Sequence, residues 1–584
     1  MMPIRIPDRE PPPSPRTGIL FLFLSLASLL DAPARQKRGG LVFALAYPYL
    51  CGMEPELIRK RNMKRKLLLA LLSVACLSCG WLGLSGLPLT VALVPLLILS
   101  GEYDASRRSF WKMSGWTALV IGAWSALCTW WIWYAAEIGA ILSVLIAIVL
   151  CGGPVMLYHY VSKRARPALA ATLFVCGWIA AEYWYTTGEV SFPWLTLGNG
   201  FANSVRSVQW YEYTGVFGGS LWVLVCNLFF YRRVRMRTRR AAVQAFAVLL
   251  LPMAFSFWLY HRAEGDCRGG EATVSVVQPN IDPWGEKFSL SARQTADTLL
   301  ALADRSPAGV DYIVLPETAI DDRIWEENPD ASPSLTRLAD FAADRRPGST
   351  LVVGATTFRA YAPAERSATA RPLRGGGWYD VYNSAILIEG DKRGIHHKSK
   401  LVVGVEKMPY PRLMKALDFL IIDLGGTTGQ MGTDPYRKTF RSERGITSAV
   451  AICYESVYGA YISEFAARGA QLLLVVTNDG WWHDTPGYRQ HFSFARLRAI
   501  ETRRSIARSA NTGISGFIDP RGEVGPTLGW DERGTLTAAL PLNDRITCYT
   551  RYGDCTARIA LLVFLLGMLY YMAYRIRRKN HLVP

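Results

Sequence analysis

The stretch "TSAVAICYES" sets Cys453 at the end of a short apolar, β-like run and follows it with Tyr454 and Glu455. Two other runs end in reactive types: "YIVLPETAI" delivers Glu317, and "GIHHKSKLVVGVEKMPYP" carries Lys398 and Glu406. A thiol is a weak nucleophile until a base takes its proton and a cation stabilises the thiolate. A carboxylate can do the first and an ammonium the second, so glutamate, lysine and cysteine together describe covalent catalysis. Taken singly, a strand cysteine is more often inert packing, and a lone glutamate or lysine is surface charge. Three such residues at strand ends of one region favour a nucleophilic site, although spacing alone does not bring them together.

The elements that must position them fall between residues 272 and 540. There "ATVSVVQ", "DYIVLP", "STLVVGA", "YNSAILI", "ITSAVAIC", "AQLLLVVTN" and "GISGFID" read as strands, and helical patterns fall near 289–304, 333–345, 458–468 and 487–504. This alternation predicts an α/β layered domain with helices covering sheets.

The rest of the chain is of another kind. Eight uncharged apolar blocks approach bilayer-spanning length: 67–83, 84–100, 116–136, 138–161, 168–187, 215–231, 241–261 and 557–575. The formal net charge of +18 suggests nucleic acid until its location is read. It gathers at alternate connections: Arg59 to Lys66; Arg107, Arg108 and Lys112; Lys163, Arg164 and Arg166; Arg232 to Arg240; and Arg575 to Lys579. The intervening connections carry Glu137 and then Glu189 to Glu212 with only Arg206. The positive-inside rule then predicts both termini in the cytoplasm, residues 262–556 on the extracytoplasmic side, and no nucleic-acid partner. Expected units are a leader over 1–62, a seven-helix membrane domain over 63–261, a catalytic domain over 262–556 and a C-terminal helix with a basic tail over 557–584. The leader is expected to be disordered and dispensable, because "MKRKLLLALL" from Met63 reads as a natural start; a signal peptide over 16–34 is the rival reading.

Six of the eleven cysteines lie in apolar blocks, where a small packing role is the default. The outer region holds Cys267, Cys453, Cys548 and Cys555. It has no CxxC or His/Cys cluster at metal spacing, so neither a metal nor a cofactor is expected. Cys548 and Cys555 could close a small disulfide loop in an oxidising compartment, with Cys267 as a rival partner and free thiols as the alternative.

The ordered set of Glu in "LPETA", Lys in "HKSKL" and Cys in "ICYES", followed by "TNDGWW", resembles the carbon-nitrogen hydrolase (nitrilase) superfamily. Seven apolar blocks before this domain and one after it narrow the resemblance to the membrane-embedded apolipoprotein N-acyltransferase branch, over about 63–584. Also matching are "SFPWLTLG" (191–198), "VVQPNID" (276–282), the 491–522 segment beginning "HFSFARLRAIE" and "YTRYGD" (549–554). The resemblance implies a polytopic helical membrane domain plus an αββα sandwich. It implies Glu317 as general base, Cys453 as nucleophile, and Lys398 with the Tyr454 backbone N–H at the oxyanion. Glu406, Glu455, Asn383, Trp481 and Phe288 would be supporting or substrate-binding residues. Phe288 stands where many relatives carry a tryptophan, with Trp284 nearby, and the loop after Lys398 keeps the spacing to Glu406 with a different sequence.

The implied reaction passes a fatty acyl chain from a phospholipid to the α-amino group of a diacylglyceryl-cysteine at a lipoprotein N-terminus, through a Cys453 thioester, in a monomer. A membrane frame suits this chemistry, because extracting acyl chains into water costs about 0.8 kcal/mol per CH₂. The aromatic stretches "CTWWIWYAAE" (128–137) and "AAEYWYTTGEVSFPWL" (180–195) suit the outer interface. Glu182, inside a predicted span, belongs in a wet cleft or at the boundary. Rival readings are a membrane-tethered amidase and a transporter with an outer domain; no internal repeat favours the latter.

Overall fold

A computed structural model describes residues 55–263, 269–374, 376–407 and 431–579, with backbone alone at 55–60, 287, 288 and 363. Most of the leader, Cys267 and the Phe288 side chain lie outside what is described.

Helices α1 (Pro55–Ser78), α2 (Val94–Glu102), α3 (Arg107–Thr129), α4 (Glu137–Ser162), α5 (Pro167–Thr187), α6 (Tyr211–Met236) and α7 (Arg239–Arg262) form the first half. α1 begins upstream of Met63, so residues 55–62 continue a helix where disorder was expected. "PELIRKRN" explains this, with proline at the start and good helix formers after it. α4, α5, α6, α7 and the C-terminal α12 (Cys555–Lys579) are long and apolar enough to cross a membrane. The predicted block 84–100 is instead a 3₁₀ turn, Leu87–Val91, leading into the short α2. Pro88 and Pro95 each remove an amide donor there and stop one long α-helix from forming.

Between α5 and α6 the chain folds back in buried 3₁₀ turns at Pro193–Leu195, Leu197–Phe201 and Val205–Ser207. Gly198 allows this, since a Cβ there would lie 1.9 Å from the Val216 carbonyl oxygen. Glu182 is buried beside this loop and accepts from the indole of Trp178 at 2.9 Å and the Leu197 N–H at 2.8 Å. It is therefore a packed polar anchor rather than a boundary residue.

The second half carries two sheets. The first comprises β1 (Glu271–Gln278), β2 (Tyr312–Val314), β3 (Ile320–Trp325), β4 (Thr350–Tyr361), β5 (Arg371–Pro372), β6 (Trp378–Glu389), β7 (Lys392–His397) and β14 (Gly534–Pro541). Its path is β14-β1-β2-β4-β6-β5, with β3 on β4 and β7 on β6. The second, from β8 (Phe440–Arg441), β9 (Thr447–Ile452), β10 (Leu472–Thr477), β11 (Ser505–Ala510), β12 (Ser515–Ile518) and β13 (Val524–Leu528), runs β13-β12-β11-β10-β9-β8. β1, β2 and β4 are parallel to one another, as are β9, β10 and β11.

Strand alternation builds the layers. Val274, Val276, Tyr312, Val314 and Val352 face Val450 and Leu474 of the other sheet in one core. Their neighbours Ile313, Leu351 and Val353 pack under α8 (Ala292–Ala303) and α9 (Pro333–Arg345). The outer face of the second sheet is covered by α10 (Gly459–Ala467) and α11 (Pro486–Thr502), completing an α/β/β/α sandwich. Each fully buried aliphatic side chain contributes about 1.5–3 kcal/mol. The predicted helices sit where the pattern put them. Strands proved more numerous, because short strands such as β3, β5 and β13 carry no continuous apolar run.

Cys548 and Cys555 are both free thiols, so the disulfide is not formed between them. Cys548 opens one short helix and Cys555 starts α12, with the positive-φ Gly553 turning the chain between them.

Candidate active site

Glu317, Lys398 and Cys453 each leave the end of a strand. β2 lies between β1 and β4, and its continuation is held by Leu315 N–H donating to the Val352 carbonyl at 2.7 Å and Gly354 N–H donating to that of Pro316 at 3.0 Å. Gly354 has no side chain for a reason: a Cβ would meet the Pro316 carbonyl oxygen at 2.3 Å and the Glu317 Cα at 2.5 Å. The strand can therefore pass flush against the backbone that presents Glu317. β7 ends at Lys398, whose N–H donates to the Asn383 carbonyl at 2.8 Å. β9 ends at Cys453, which has a left-handed φ of 50° and opens the 3₁₀ turn Cys453–Val457. A non-glycine residue there pays roughly 1 kcal/mol or more in strain, a cost often found at functional positions.

Lys398 Nζ donates to Glu317 Oε1 at 3.0 Å and to Glu406 Oε1 at 2.8 Å. Asn383 Nδ2 donates to the same two atoms at 2.7 and 3.2 Å. The second oxygens are fixed by backbone: Asn478 N–H donates to Glu317 Oε2 at 3.0 Å, and Val402 N–H to Glu406 Oε2 at 2.8 Å. Burial alone would depress the Lys398 ammonium, but Glu317 and Glu406 hold it well above the ordinary lysine value. Burial first, then the Glu317 charge, pushes the Cys453 thiol far above its usual range, with Lys398 opposing. Cys453 therefore rests as a thiol, with both a carboxylate and an ammonium within electrostatic reach.

Glu455 is fully buried and serves as a clamp, not a surface charge. It accepts from Ser399 N–H at 2.6 Å, Ile452 N–H at 2.8 Å and the Tyr461 hydroxyl, and pairs with His396 Nε2 at 3.1 Å. Burial opposes its ionisation, but His396 and these donors bring its carboxyl below the usual value. It ties the chain after Lys398 to the chain before Cys453. Trp481 packs edge-on to Trp284 at 5.3 Å. The Tyr454 hydroxyl reaches out to the Ser191 carbonyl at 3.0 Å.

A buried set that the sequence pattern did not single out lies behind Cys453. His491 Nε2 lies 3.1 Å from the Cys453 carbonyl oxygen, and the Ser456 hydroxyl donates to the same oxygen at 2.7 Å. Asp479 joins His491 Nδ1 at 2.9 Å and Arg508 at 2.5 Å, and Arg508 also reaches His491 Nδ1 at 3.2 Å. Burial, reinforced by Arg508, pushes His491 below the ordinary histidine value. Cys453, Asp479 and His491 are ligand types within 4.8 Å of one another. The Arg508 guanidinium already fills the cationic place beside Asp479, so the trio does not fit a metal ion. An arginine inside the apolar strand "SIARSA" was the available signal for this set.

The catalytic half is keyed into the helices through α11. Gln490 Oε1 accepts from the indoles of Trp131 at 3.2 Å and Trp194 at 2.6 Å, while its Nε2 donates to the Trp81 and Cys128 carbonyls at 2.9 and 3.1 Å. Trp482 stands 4.7 Å from Trp131 and 5.6 Å from His491, ring centre to ring centre. Arg503 pairs with Glu212 at 2.5 Å. The aromatic stretches expected at an interface split accordingly: Trp131 and Trp194 are buried in this joint, while Trp130, Trp133, Tyr134 and Trp184 are about half exposed.

A strained thiol beside a buried carboxylate–ammonium–carboxylate set, on an α/β/β/α sandwich, defines a carbon-nitrogen-hydrolase type of catalytic domain. The carbon-nitrogen hydrolase family matches residues 273–549, and the apolipoprotein N-acyltransferase N-terminal domain matches residues 68–229. An apolipoprotein N-acyltransferase of Chlorobaculum tepidum is 33% identical over 490 residues, 81% of this chain and 89% of that one. That of Thermotoga maritima is 26% identical over 501 residues, 81% and 86% of the two chains. The chain belongs to the apolipoprotein N-acyltransferase family, and it is an acyltransferase rather than a tethered amidase or a transporter.

Proposed function

We propose that Cys453 carries the acyl group between a phospholipid and the α-amino group of a diacylglyceryl-cysteine on an apolipoprotein. Glu317 takes the thiol proton as sulfur attacks the donor ester carbonyl. Lys398 and the Tyr454 N–H stabilise the oxyanion; the latter opens a helical turn and so lacks an intrahelical acceptor. The C–O bond breaks, Glu317 returns the proton to the departing lysophospholipid alcohol, and a thioester remains. The acceptor amine then loses a proton to Glu317 and attacks; C–N forms, C–S breaks, and the thiolate is reprotonated. Asn383 and Glu406 hold Lys398 and Glu317 in register, Glu455 fixes the two chain segments, and Trp481 flanks the entrance.

The observation that carries this reading is the sharing of Lys398 between two carboxylates, 3.0 and 2.8 Å away, beside a buried thiol that cannot ionise unaided. A base is then required before the sulfur can react.

On the same reading the five long apolar helices, with α1, α3 and the continuous apolar segment Leu87–Glu102 in which the 3₁₀ turn runs into α2, make eight crossings; both termini are cytoplasmic, and the sandwich of 262–556 faces outward on a single chain. Alternation of basic connections supports that orientation. The joint of Trp131, Trp194 and Trp482 supports a site seated at the membrane surface. The test is to give the full chain phospholipid without acceptor and map the adduct. A hydroxylamine-labile acyl group on Cys453 is expected, absent in Cys453→Ala and Glu317→Gln, and discharged by a free-amine diacylglyceryl peptide but not by its N-acetylated form. Acylation of the peptide by Cys453→Ala would refute the thioester route.

A further inference from the structure

At the opposite end of α3 and α4 from the Trp131 joint, the first turn of α3 and the last turns of α4 line an open cavity of about 580 Å³. Its floor is apolar, from Phe110, Met156 and Leu157, and Trp111 stands at the rim with 63% of its surface exposed. Arg107 and Arg164 line the same cavity.

Arg164 is held in place without an acidic partner. Its guanidinium lies 3.9 Å over the Tyr160 ring and donates to the carbonyls of Tyr160 at 3.0 Å and Ala105 at 2.8 Å. Arg578 of α12 donates to the Arg164 carbonyl at 3.3 Å, and Lys163 feels repulsion from Arg235. The acid close by is Asp104, whose Oδ1 is engaged by the Ser106 hydroxyl at 2.6 Å and N–H at 3.0 Å. Among the described residues, no carboxylate comes within ion-pairing distance of Arg107 or Arg164. Gathering Arg107 and Arg164 at one opening, with Arg578 of α12 on the Arg164 carbonyl, costs repulsion that an anion relieves.

The cavity is amphipathic, with cations at the mouth and apolar surface behind them. A free phosphate would use only the mouth, whereas a phospholipid uses both, and basic pockets between membrane helices are suited to anionic headgroups. We infer that this cavity binds an anionic phospholipid, its phosphodiester between Arg107 and Arg164 and its first acyl methylenes on Phe110, Trp111 and Met156. It is a lipid site separate from the acyl-transfer centre and rests on the membrane reading, not on the roles given to Cys453 or Glu317.

The test uses the full chain carrying Cys453→Ala, so that no lipid is consumed, in a neutral detergent. Native mass spectrometry and thermal unfolding are followed with phosphatidylglycerol, with phosphatidylcholine of the same chains, and with inorganic phosphate. Phosphatidylglycerol should bind more tightly and raise the unfolding temperature more than phosphatidylcholine, and phosphate alone should do neither. Losing one arginine should weaken phosphatidylglycerol about fivefold, and Arg107→Gln with Arg164→Gln about thirtyfold, from about 1 kcal/mol per basic residue; the paired lysine variant should retain binding. If the double glutamine variant fails to fold, Trp111→Ala decides, since it keeps both cations and should still weaken phosphatidylglycerol severalfold. Equal binding of the two lipids, equal protection by phosphate, or undiminished binding in a folded double variant or in Trp111→Ala would overturn the inference.

Discussion

Replacing Gly354 by alanine tests whether the position of Glu317, rather than its mere presence, sets the rate. The new Cβ would stand 2.3 Å from the Pro316 carbonyl oxygen, 2.5 Å from the Glu317 Cα and 2.7 Å from the Thr318 nitrogen, where ordinary contact begins at 3.4 Å. All three are backbone atoms, so no side chain can swing aside, and the two strands must part by roughly 1 Å. A displacement of about 1 Å at a catalytic group costs on the order of 100-fold in rate. The expected outcome is a Cys453 acylation rate reduced about 100-fold in single turnover with saturating phospholipid, while the protein still inserts and unfolds cooperatively. Gly354→Ser should behave alike, because the clash lies at Cβ. Acylation by Gly354→Ala within threefold of wild type, at unchanged adduct stoichiometry, would show that this register does not govern Glu317 and would refute the reasoning.

Because burial and the Glu317 charge raise the Cys453 thiol far above its usual range, its thiolate fraction should climb about tenfold per pH unit with no plateau near pH 9. Iodoacetamide modification of resting enzyme should therefore still be rising at pH 10, and levelling near pH 8.5 would contradict the assigned environment. Gln490→Leu takes the acceptor from the buried Trp194 indole and the donor from the Trp81 carbonyl, at about 1–3 kcal/mol for each group left unpaired, while the Trp131 indole and Cys128 carbonyl keep each other at 3.1 Å. It should lower the unfolding temperature by several degrees; an unchanged value would mean that the joint does not hold the two halves together.

The ends of β2, β7 and β9 were legible because buried parallel strands are short, apolar and bounded by polar residues, and the reactive types stand just past them. Asn383 was visible only through the resemblance, since an asparagine inside a strand has no signature until its neighbour across the sheet is known. The Asp479, His491 and Arg508 set was hidden for the same reason: three segments far apart in sequence meet only when β10, α11 and β11 pack. Gln490 looked like one more polar residue on a helix, yet it is buried because that helix faces the membrane half. The second apolar block was misread as one continuous helix because hydropathy sums side chains and overlooks the two prolines that divide it. Glu455 was singled out through the resemblance alone, because only the fold brings four donors to it.

β1 pairs with β14 along its whole length, Glu271 with Pro541 through to Gln278 with Gly534. During synthesis, then, one edge of β1 stays open until nearly the whole chain has been made. At about 5–20 residues per second that interval is roughly 10–50 s, spent with α1 to α7 already emerged. An unpaired strand edge invites pairing with other chains for as long as it lasts. The site cannot close around Cys453 until the strand that completes the first sheet has arrived, and the α12 anchor follows directly after it. A ribosome stalled just before residue 534 would leave a tethered, open-edged intermediate, so the order of the chain makes late termination far more hazardous than early termination.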